Sequence, residues 1–160
     1  MTLPRRIRAA ATAALALAMT PMAHAQAAPA GCTGAPSSSW ITVIVDGVRS
    51  SRGLIAVTLY ADDPHRFLAR HGSLQVGRVK AVAGTTRACI TIPEPGTYAL
   101  AIYHDENGNE KFDRTGLGLP AEGYGFSNNA PTLVGLPSFS SVRLAIPRTG
   151  MVARIHLKYP

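Results

Sequence analysis

The 160-residue chain has little cysteine and few aromatic residues. Its five histidines form no His-x-His or His-x-x-x-His pair, so the usual sequence basis for a zinc or copper site is missing. Beyond the N-terminal segment, lysine and arginine are scattered and do not alternate with aromatic residues, so nucleic acid is not an expected partner. The chain also lacks a Gly-x-Ser-x-Gly turn and a phosphate-binding glycine loop, which excludes two common catalytic motifs.

The N-terminus has the pattern of an export signal. Arg5, Arg6 and Arg8 precede an apolar stretch over residues 9–19, and Ala23-His24-Ala25 is an Ala-x-Ala cleavage site. The apolar stretch is too short to span a bilayer. We therefore expect residues 1–25 to be removed, leaving a periplasmic or secreted protein that starts at Gln26 and is not an integral membrane protein.

Cys32 and Cys89 are the two cysteines of the chain. Exported proteins with two cysteines usually pair them, so a disulfide is expected. Alternation around Cys89 places it with Arg87 and Thr91 on the outward face of a predicted strand. The bond would then hold the N-terminal tail over the outside of the sheet, and closing this loop is worth roughly 4 kcal/mol.

Residues 26–39 are rich in Ala, Pro, Ser and Gly and are predicted to be a flexible tail, and residues 40–160 are predicted to form a single domain. Many short runs alternate between apolar and polar residues, which predicts an all-β, antiparallel β-sandwich of about seven strands, Ig-like or transthyretin-like. Only residues 64–71 favour a helical turn, with Phe67 and Leu68 pointing inward. The predicted strands cover residues 40–45, 53–60, 76–82, 87–92, 97–104, 142–146 and 151–159.

An acidic loop follows the predicted strand 97–104. Its oxygen-bearing side chains at positions 1, 3, 5 and 9 resemble part of a calcium loop. Positions 6 and 12 depart from an EF-hand, and side-chain bonds to the loop's own backbone explain the same residues without a metal. Both interpretations stay open, and Glu106 at an even position is predicted to point outward. The possible Ca²⁺ ligands are Asp105, Asn107, Asn109 and Asp113.

A second loop, residues 120–129, has more carboxylate, amide and aromatic groups than a connector needs. Exposed aromatic rings would form a platform for a sugar or peptide, whereas buried rings would plug the end of the sandwich. His104, which ends the preceding strand, is a candidate ligand, general base or latch between the loops. The ligand-binding candidates are His104, Glu122, Tyr124, Phe126, Asn128 and Asn129.

Two sequence elements carry a family resemblance. His104-Asp105-Glu106-Asn107-Gly108-Asn109 and Gly123-Tyr124-Gly125-Phe126-Ser127-Asn128-Asn129 resemble the signature of an exported bacterial family catalogued as domain of unknown function 2141. Pro95-Gly96-Thr97-Tyr98 is also similar to a strand of transthyretin-like and collagen-adhesin B-type domains. The resemblance implies a small extracytoplasmic β-sandwich and implies no activity.

The sequence therefore predicts a binding or interaction module whose partner is an unknown protein, peptide or glycan. One alternative is a small hydrolase that uses Asp105, Asp113 or Glu122 with His104. The other alternative is a purely structural envelope domain. An enzyme would need an open cleft with two facing carboxylates, which distinguishes the first alternative from the binding module.

Overall fold

Eight strands form two sheets in the computed structural model, which describes residues 27–132 and 135–160. The predicted signal peptide, residues 1–25, lies outside the described residues. Two short helical segments accompany the strands: a 3₁₀ turn over Ser127–Asn129 and α1 over Phe139–Val142. The strands are β1 Ser39–Val48, β2 Leu54–Ala61, β3 Gln75–Lys80, β4 Gly84–Ile92, β5 Gly96–Asp105, β6 Tyr124–Phe126, β7 Arg143–Ile146 and β8 Met151–His156.

The two sheets have three and five strands. The first has the order β4-β1-β8, and the second has the order β3-β2-β5-β6 with β7 also paired to β5. The predicted all-β class is therefore confirmed. Pairing is antiparallel throughout these strands except between β1 and β8, which run parallel. The sequence predicts antiparallel strands, so this parallel pair is a difference from the prediction.

One local prediction differs from the structure. Tyr124–Phe126 forms the short strand β6, although the sequence predicts a loop there. Residues 64–71 form hydrogen-bonded turns, as predicted, and the Phe67 N–H donates to the Asp63 carbonyl at 3.2 Å. The inward orientation predicted for Phe67 and Leu68 is also correct, because both pack against the buried cluster that contains Tyr60 and Phe126.

The main core lies between the sheets and follows the alternation of the strands. Side chains from alternate positions of β1, β2 and β5 are almost fully buried there. Burying such aliphatic side chains is the main favourable contribution to the stability of a small sandwich. These inward residues include Ile41, Val43, Val45, Ile55, Val57, Leu59, Leu100 and Ile102.

The predicted disulfide between Cys32 and Cys89 is confirmed. The tail it anchors runs along the edge of β4, and the expectation that it covers the outside of the sheet is wrong. Thr33 N–H donates to the Cys89 carbonyl at 2.9 Å, and Thr91 N–H donates to the Thr33 carbonyl at 2.9 Å. A Cβ on Gly77 of β3 would collide with the Thr33 hydroxyl, so the tail fills the gap between the two sheets.

The opposite side of the sandwich is joined by the C-terminal segment. Tyr124 of β6 and Lys158 exchange two backbone hydrogen bonds, each 2.9 Å long. These bonds connect the five-stranded sheet with the chain that continues from β8. With the tail on the other side, they leave fewer unpaired strand edges, which limits edge-to-edge association.

The five-stranded sheet is also covered on its outer face. Tyr60, Ala99 and Phe126 point away from the main core and form a second buried cluster with Ala130 and Val142. The cover comes from the segment between β2 and β3 and from residues 127–132 and 135–142, since Phe67 and Phe139 pack on this cluster. Strand β5 is consequently apolar and buried on both faces, as the sequence predicts for a central strand.

Substitution of a β5 core residue tests this central position. Leu100 is fully buried, so Leu100→Ala should lower the free energy of unfolding by about 2–5 kcal/mol through the cavity it leaves. Leu117→Ala is the control, because Leu117 is 89% exposed and should lose less than about 0.5 kcal/mol. Urea unfolding measures both; equal losses would show that β5 is not the centre of the core.

Candidate functional site

The acidic loop begins at Asp105, the last residue of β5, whose side chain is fully buried. Its two carboxylate oxygens accept hydrogen bonds from backbone N–H groups of the same loop, from Asn109 at 3.0 Å and from Glu110 at 2.7 Å. The loop can turn this tightly because Gly108 and Glu110 adopt left-handed backbone conformations, at φ 72° and 62°. Asp105 therefore organises its own loop.

Three other predicted ligands meet beside it. Asn107 and Asn109 donate from their side-chain amides to the Asp113 carboxylate at distances between 2.7 and 3.0 Å. Their amide oxygens accept from the backbone N–H groups of Asn109 and Lys111, at 3.0 and 2.8 Å. These are the side-chain-to-backbone bonds of Asx turns. The predicted convergence of these three residues is thus present and is held by hydrogen bonds.

Glu122 joins the two loops, which we call the loop pair (residues 104–113 and 120–129). It is 5% exposed and accepts a hydrogen bond from the Asp113 N–H at 3.0 Å. The Ala121 N–H donates in turn to the Asp113 carbonyl at 3.0 Å. Burial raises the pKa of the Glu122 carboxyl above its usual range, and the charges of Asp113 and Asp105 add to that rise.

The hydrogen bonds already made by the predicted Ca²⁺ ligands determine how many of their oxygens are free for a cation. Calcium prefers six to eight oxygen ligands, but the carboxylate and amide oxygens named above already accept N–H groups. Among residues 27–132 and 135–160, no group of three or more His, Cys, Asp or Glu side chains is placed to hold a metal. The geometry therefore favours the loop held by its own hydrogen bonds.

His104 occupies the position of a latch. It is fully buried, its Nε2 lies 2.8 Å from the Arg52 carbonyl and its Nδ1 lies 2.7 Å from the Tyr159 hydroxyl. The carbonyl requires a proton on Nε2, so in the neutral ring Nδ1 accepts from Tyr159. The ring thus connects the segment before β2 with the C-terminus, and neither nitrogen faces an opening.

Glu106 points away from the Asp105, Asn107, Asn109 and Asp113 cluster, as predicted, but it is bonded to a neighbouring segment and not free in solvent. Its side chain is 11% exposed, and its carboxylate accepts from the guanidinium of Arg49 and from the Ser50 hydroxyl. Arg49 also lies over the Tyr159 ring, 4.5 Å from its centroid. The hydrogen bond from Arg49 lowers the pKa of Glu106 to about 2.

The two asparagines at the end of the second loop are directed at neighbouring backbone. The Asn128 amide donates to the carbonyls of Ser141 and Arg143 at 3.1 and 2.8 Å. Asn129 accepts the His156 N–H at 2.8 Å. Both residues have positive φ angles, a conformation that asparagine tolerates better than most residues. These contacts tie the segment after β6 to β7 and β8.

Tyr124 and Phe126 line a groove of about 570 Å³ on the outer face of the five-stranded sheet. Five of its lining residues are aromatic, and successive rings are in edge-to-face contact. Phe112 lies between Tyr103 and Tyr124, with centroid distances of 5.5 and 6.1 Å, and Tyr124 lies 6.1 Å from Phe126. Edge-to-face pairs are a favourable arrangement of aromatic rings, so these contacts stabilise the wall.

Strand register explains the shape of this groove. Ala101 of β5 stands directly between Thr58 of β2 and Phe126 of β6, and all three line the groove. Because the alanine side chain is smaller than those on either side of it, the surface of the sheet is lower at Ala101 than at the two neighbouring strands. Leu119 and Leu136, both well exposed, line the groove as well. Of the site residues predicted from the sequence, only Tyr124 and Phe126 line this groove.

These features define the chain as an all-β sandwich with a hydrogen-bonded loop pair beside an aromatic groove. The chain belongs to the family described as uncharacterized protein conserved in bacteria (DUF2141), whose model matches residues 43–153. That match confirms the family resemblance carried by the two signature elements, both of which lie within it. No curated protein and no solved structure matches the chain.

The Glu106 contacts predict how stability depends on pH. Because the pKa of Glu106 is lowered from 4.5 to about 2, its contribution is complete above about pH 4.5 and is lost as the pH falls towards 2. Glu106→Gln should therefore reduce stability at neutral pH and lose less further stability on acidification than the unsubstituted protein.

Urea unfolding at several pH values between about 6 and 2 measures this effect. The matched control is Glu94→Gln, since Glu94 is exposed and forms no ion pair among the described residues. The control should follow the unsubstituted protein over the whole range. A Glu106→Gln curve parallel to the unsubstituted one would contradict the assigned ion pair.

Proposed function

We propose that this protein is an exported binding module whose ligand is a small molecule with an apolar body. The observation that carries the proposal is the groove of about 570 Å³ with five aromatic rings in its lining. Small-molecule sites usually measure about 300–1,000 Å³ and combine apolar walls with few polar groups. The groove has both properties, and its walls are held by ring contacts that exist without a ligand.

Incomplete covering of the sheet supports the same proposal. The outer face beside Ala99 and Phe126 is packed under neighbouring segments, whereas Ala101 remains partly exposed at the groove floor. Leu119 and Leu136 are 60% and 69% exposed at its lining. Apolar side chains concentrated around one depression are typical of binding surfaces, while isolated exposed leucines need no explanation.

The loop pair fits a supporting role better than a catalytic one. Asp105 and Glu122 are buried and accept backbone N–H groups, and Asp113 accepts two amides. None of the three lines the groove, so the facing carboxylates of a hydrolase are not found at this opening. A cation bound by the loop pair stays a separate proposal, which a Ca²⁺-dependent rise in melting temperature would support.

Export is part of the proposal and is supported by the signal pattern of residues 1–25 and by the Cys32–Cys89 disulfide. When the full chain is expressed in a bacterium, the purified protein should begin at Gln26. Its mass should be two hydrogens below that of the dithiol form, which intact mass spectrometry measures. An uncleaved N-terminus with two free thiols would contradict export.

Filling the groove tests the binding site directly. Ala101→Leu places a larger side chain on the floor and should weaken binding of the neutral fluorescent probe N-phenyl-1-naphthylamine by at least roughly tenfold, because the added volume displaces the probe. Ala145→Leu on β7 is the matched control, since Ala145 is exposed on the same sheet and does not line the groove.

Thermal unfolding of each variant checks that it is folded. If Ala101→Leu does not fold, Leu119→Ser replaces it, because this substitution removes an exposed apolar wall without changing the core. Binding by the unsubstituted protein that both groove variants retain would contradict the proposed site. Absence of probe binding by the unsubstituted protein would contradict it as well.

A further inference from the structure

The charge of the groove narrows the class of ligand. Arg114 is the one charged side chain among the described residues that line it, and none of these residues is Asp or Glu. Apart from Arg114, the lining consists of aliphatic, aromatic, glycine and proline residues together with the hydroxyl-bearing residues Thr58 and Thr132. A single cation beside an apolar surface is complementary to a ligand with one negative group.

Arg114 is oriented by two contacts on its own loop. Its Nη1 donates to the Gly118 carbonyl at 2.9 Å, and its guanidinium carbon lies 5.2 Å from the centre of the Phe112 ring. Stacking on Phe112 places the cation on one of the groove's own walls. The guanidinium has five N–H donors, so one bond to Gly118 leaves donors for a carboxylate, sulfonate or phosphate.

Carboxylates close to this loop have other partners. Asp113 accepts the amides of Asn107 and Asn109, and Glu110 lies 3.8 Å from the Arg78 guanidinium. Arg114 itself forms no ion pair within the described ranges. Its charge is therefore not neutralised by the described protein contacts that hold the loop, and its remaining donors are open to water or to an anionic ligand.

Hydroxyl groups provide further polar contacts in the same groove. Tyr60 is 8% exposed, lines the groove, and forms no side-chain hydrogen bond with the described residues. Burial raises the pKa of the Tyr60 hydroxyl above its usual value, so it stays protonated at neutral pH and can donate. The Tyr60 oxygen is not among the buried polar atoms that lack a partner in the described residues, so it is accessible at the groove and can donate to water or to a ligand.

We propose that the groove binds an organic anion: an apolar chain or ring system lies along the aromatic wall, and its carboxylate, sulfonate or phosphate pairs with Arg114. This inference rests on the proposed binding function and adds the charge of the ligand. The aromatic rings supply most of the contact area, while Arg114 sets the orientation of the ligand and its preference for an anion.

Two probes of nearly equal size separate these contributions. 8-Anilino-1-naphthalenesulfonate is anionic, and N-phenyl-1-naphthylamine is its neutral analogue. The protein purified after expression of the full chain should bind the anion roughly 3- to 10-fold more tightly at low salt, the range expected for a partly exposed charge pair. The preference should decrease as salt is raised, because Arg114 is exposed to solvent.

Arg114→Gln should abolish this preference and leave the affinity for the neutral probe unchanged. The control is Arg87→Gln, which removes an exposed positive charge from β4 in the other sheet and should leave both affinities as they are. An anion preference that persists in Arg114→Gln, or that is lost equally in Arg87→Gln, would overturn the inference. Either result leaves the groove itself standing if Ala101→Leu still blocks the neutral probe.

Discussion

Strand β5 is buried on both faces, and the other parts of the molecule are arranged to cover those two faces. Leu100 and Ile102 point into the space between the sheets, where β1 and β8 enclose them. Ala99 and Ala101 point the other way, towards the segments that follow β2 and β6. Because burial of apolar area drives folding, each face needs its own layer of cover.

Among the described residues, the cover of the outer face is incomplete at Ala101, and this accounts for the groove. Phe67 and Phe139 close the part of the face near Tyr60 and Phe126. Phe112 rises on the far side, between Tyr103 and Tyr124. A small residue in the register between these rows leaves an open depression that solvent or a ligand must fill.

The loop pair is linked to the groove through Phe112. Asp113, its neighbour in sequence, is bonded through its N–H to Glu122 and through its carbonyl to Ala121. These bonds hold the chain at the point where Phe112 enters the aromatic wall. The loop pair thus positions a wall of the groove, and its buried polar residues need not touch a ligand.

Most of the fold could be predicted from the sequence because its strands alternate clearly. Runs such as Ile55, Val57 and Leu59 have the period of a half-buried strand, and the two cysteines of an exported chain predict a disulfide. Strand β6 could not be predicted, since three residues with a central glycine have almost no strand signal. Parallel pairing of β8 with β1 depends on contacts between residues more than a hundred positions apart.

The site was predicted only in part, for a similar reason. Local spacing was sufficient to find Asp105, Asn107, Asn109 and Asp113, whose bonds are within one loop. The partner of Glu106 is Arg49, 57 positions away, and local spacing gives no sign of a contact between residues so far apart in sequence. The groove depends on the register of Ala101 against two other strands, which no local pattern encodes.

Mapping the ligand contacts by nuclear magnetic resonance tests the central claim most directly. Titration with N-phenyl-1-naphthylamine should shift the signals of the Ala101 methyl group and of the Tyr60, Tyr103 and Tyr124 rings. Signals of His104, Asn107 and Asn128 should change little, because these side chains bond to the protein itself. Shifts concentrated at His104, Asn107 and Asn128, with Ala101 and Tyr60 unaffected, would contradict the account and would place the binding site at the end of the sandwich.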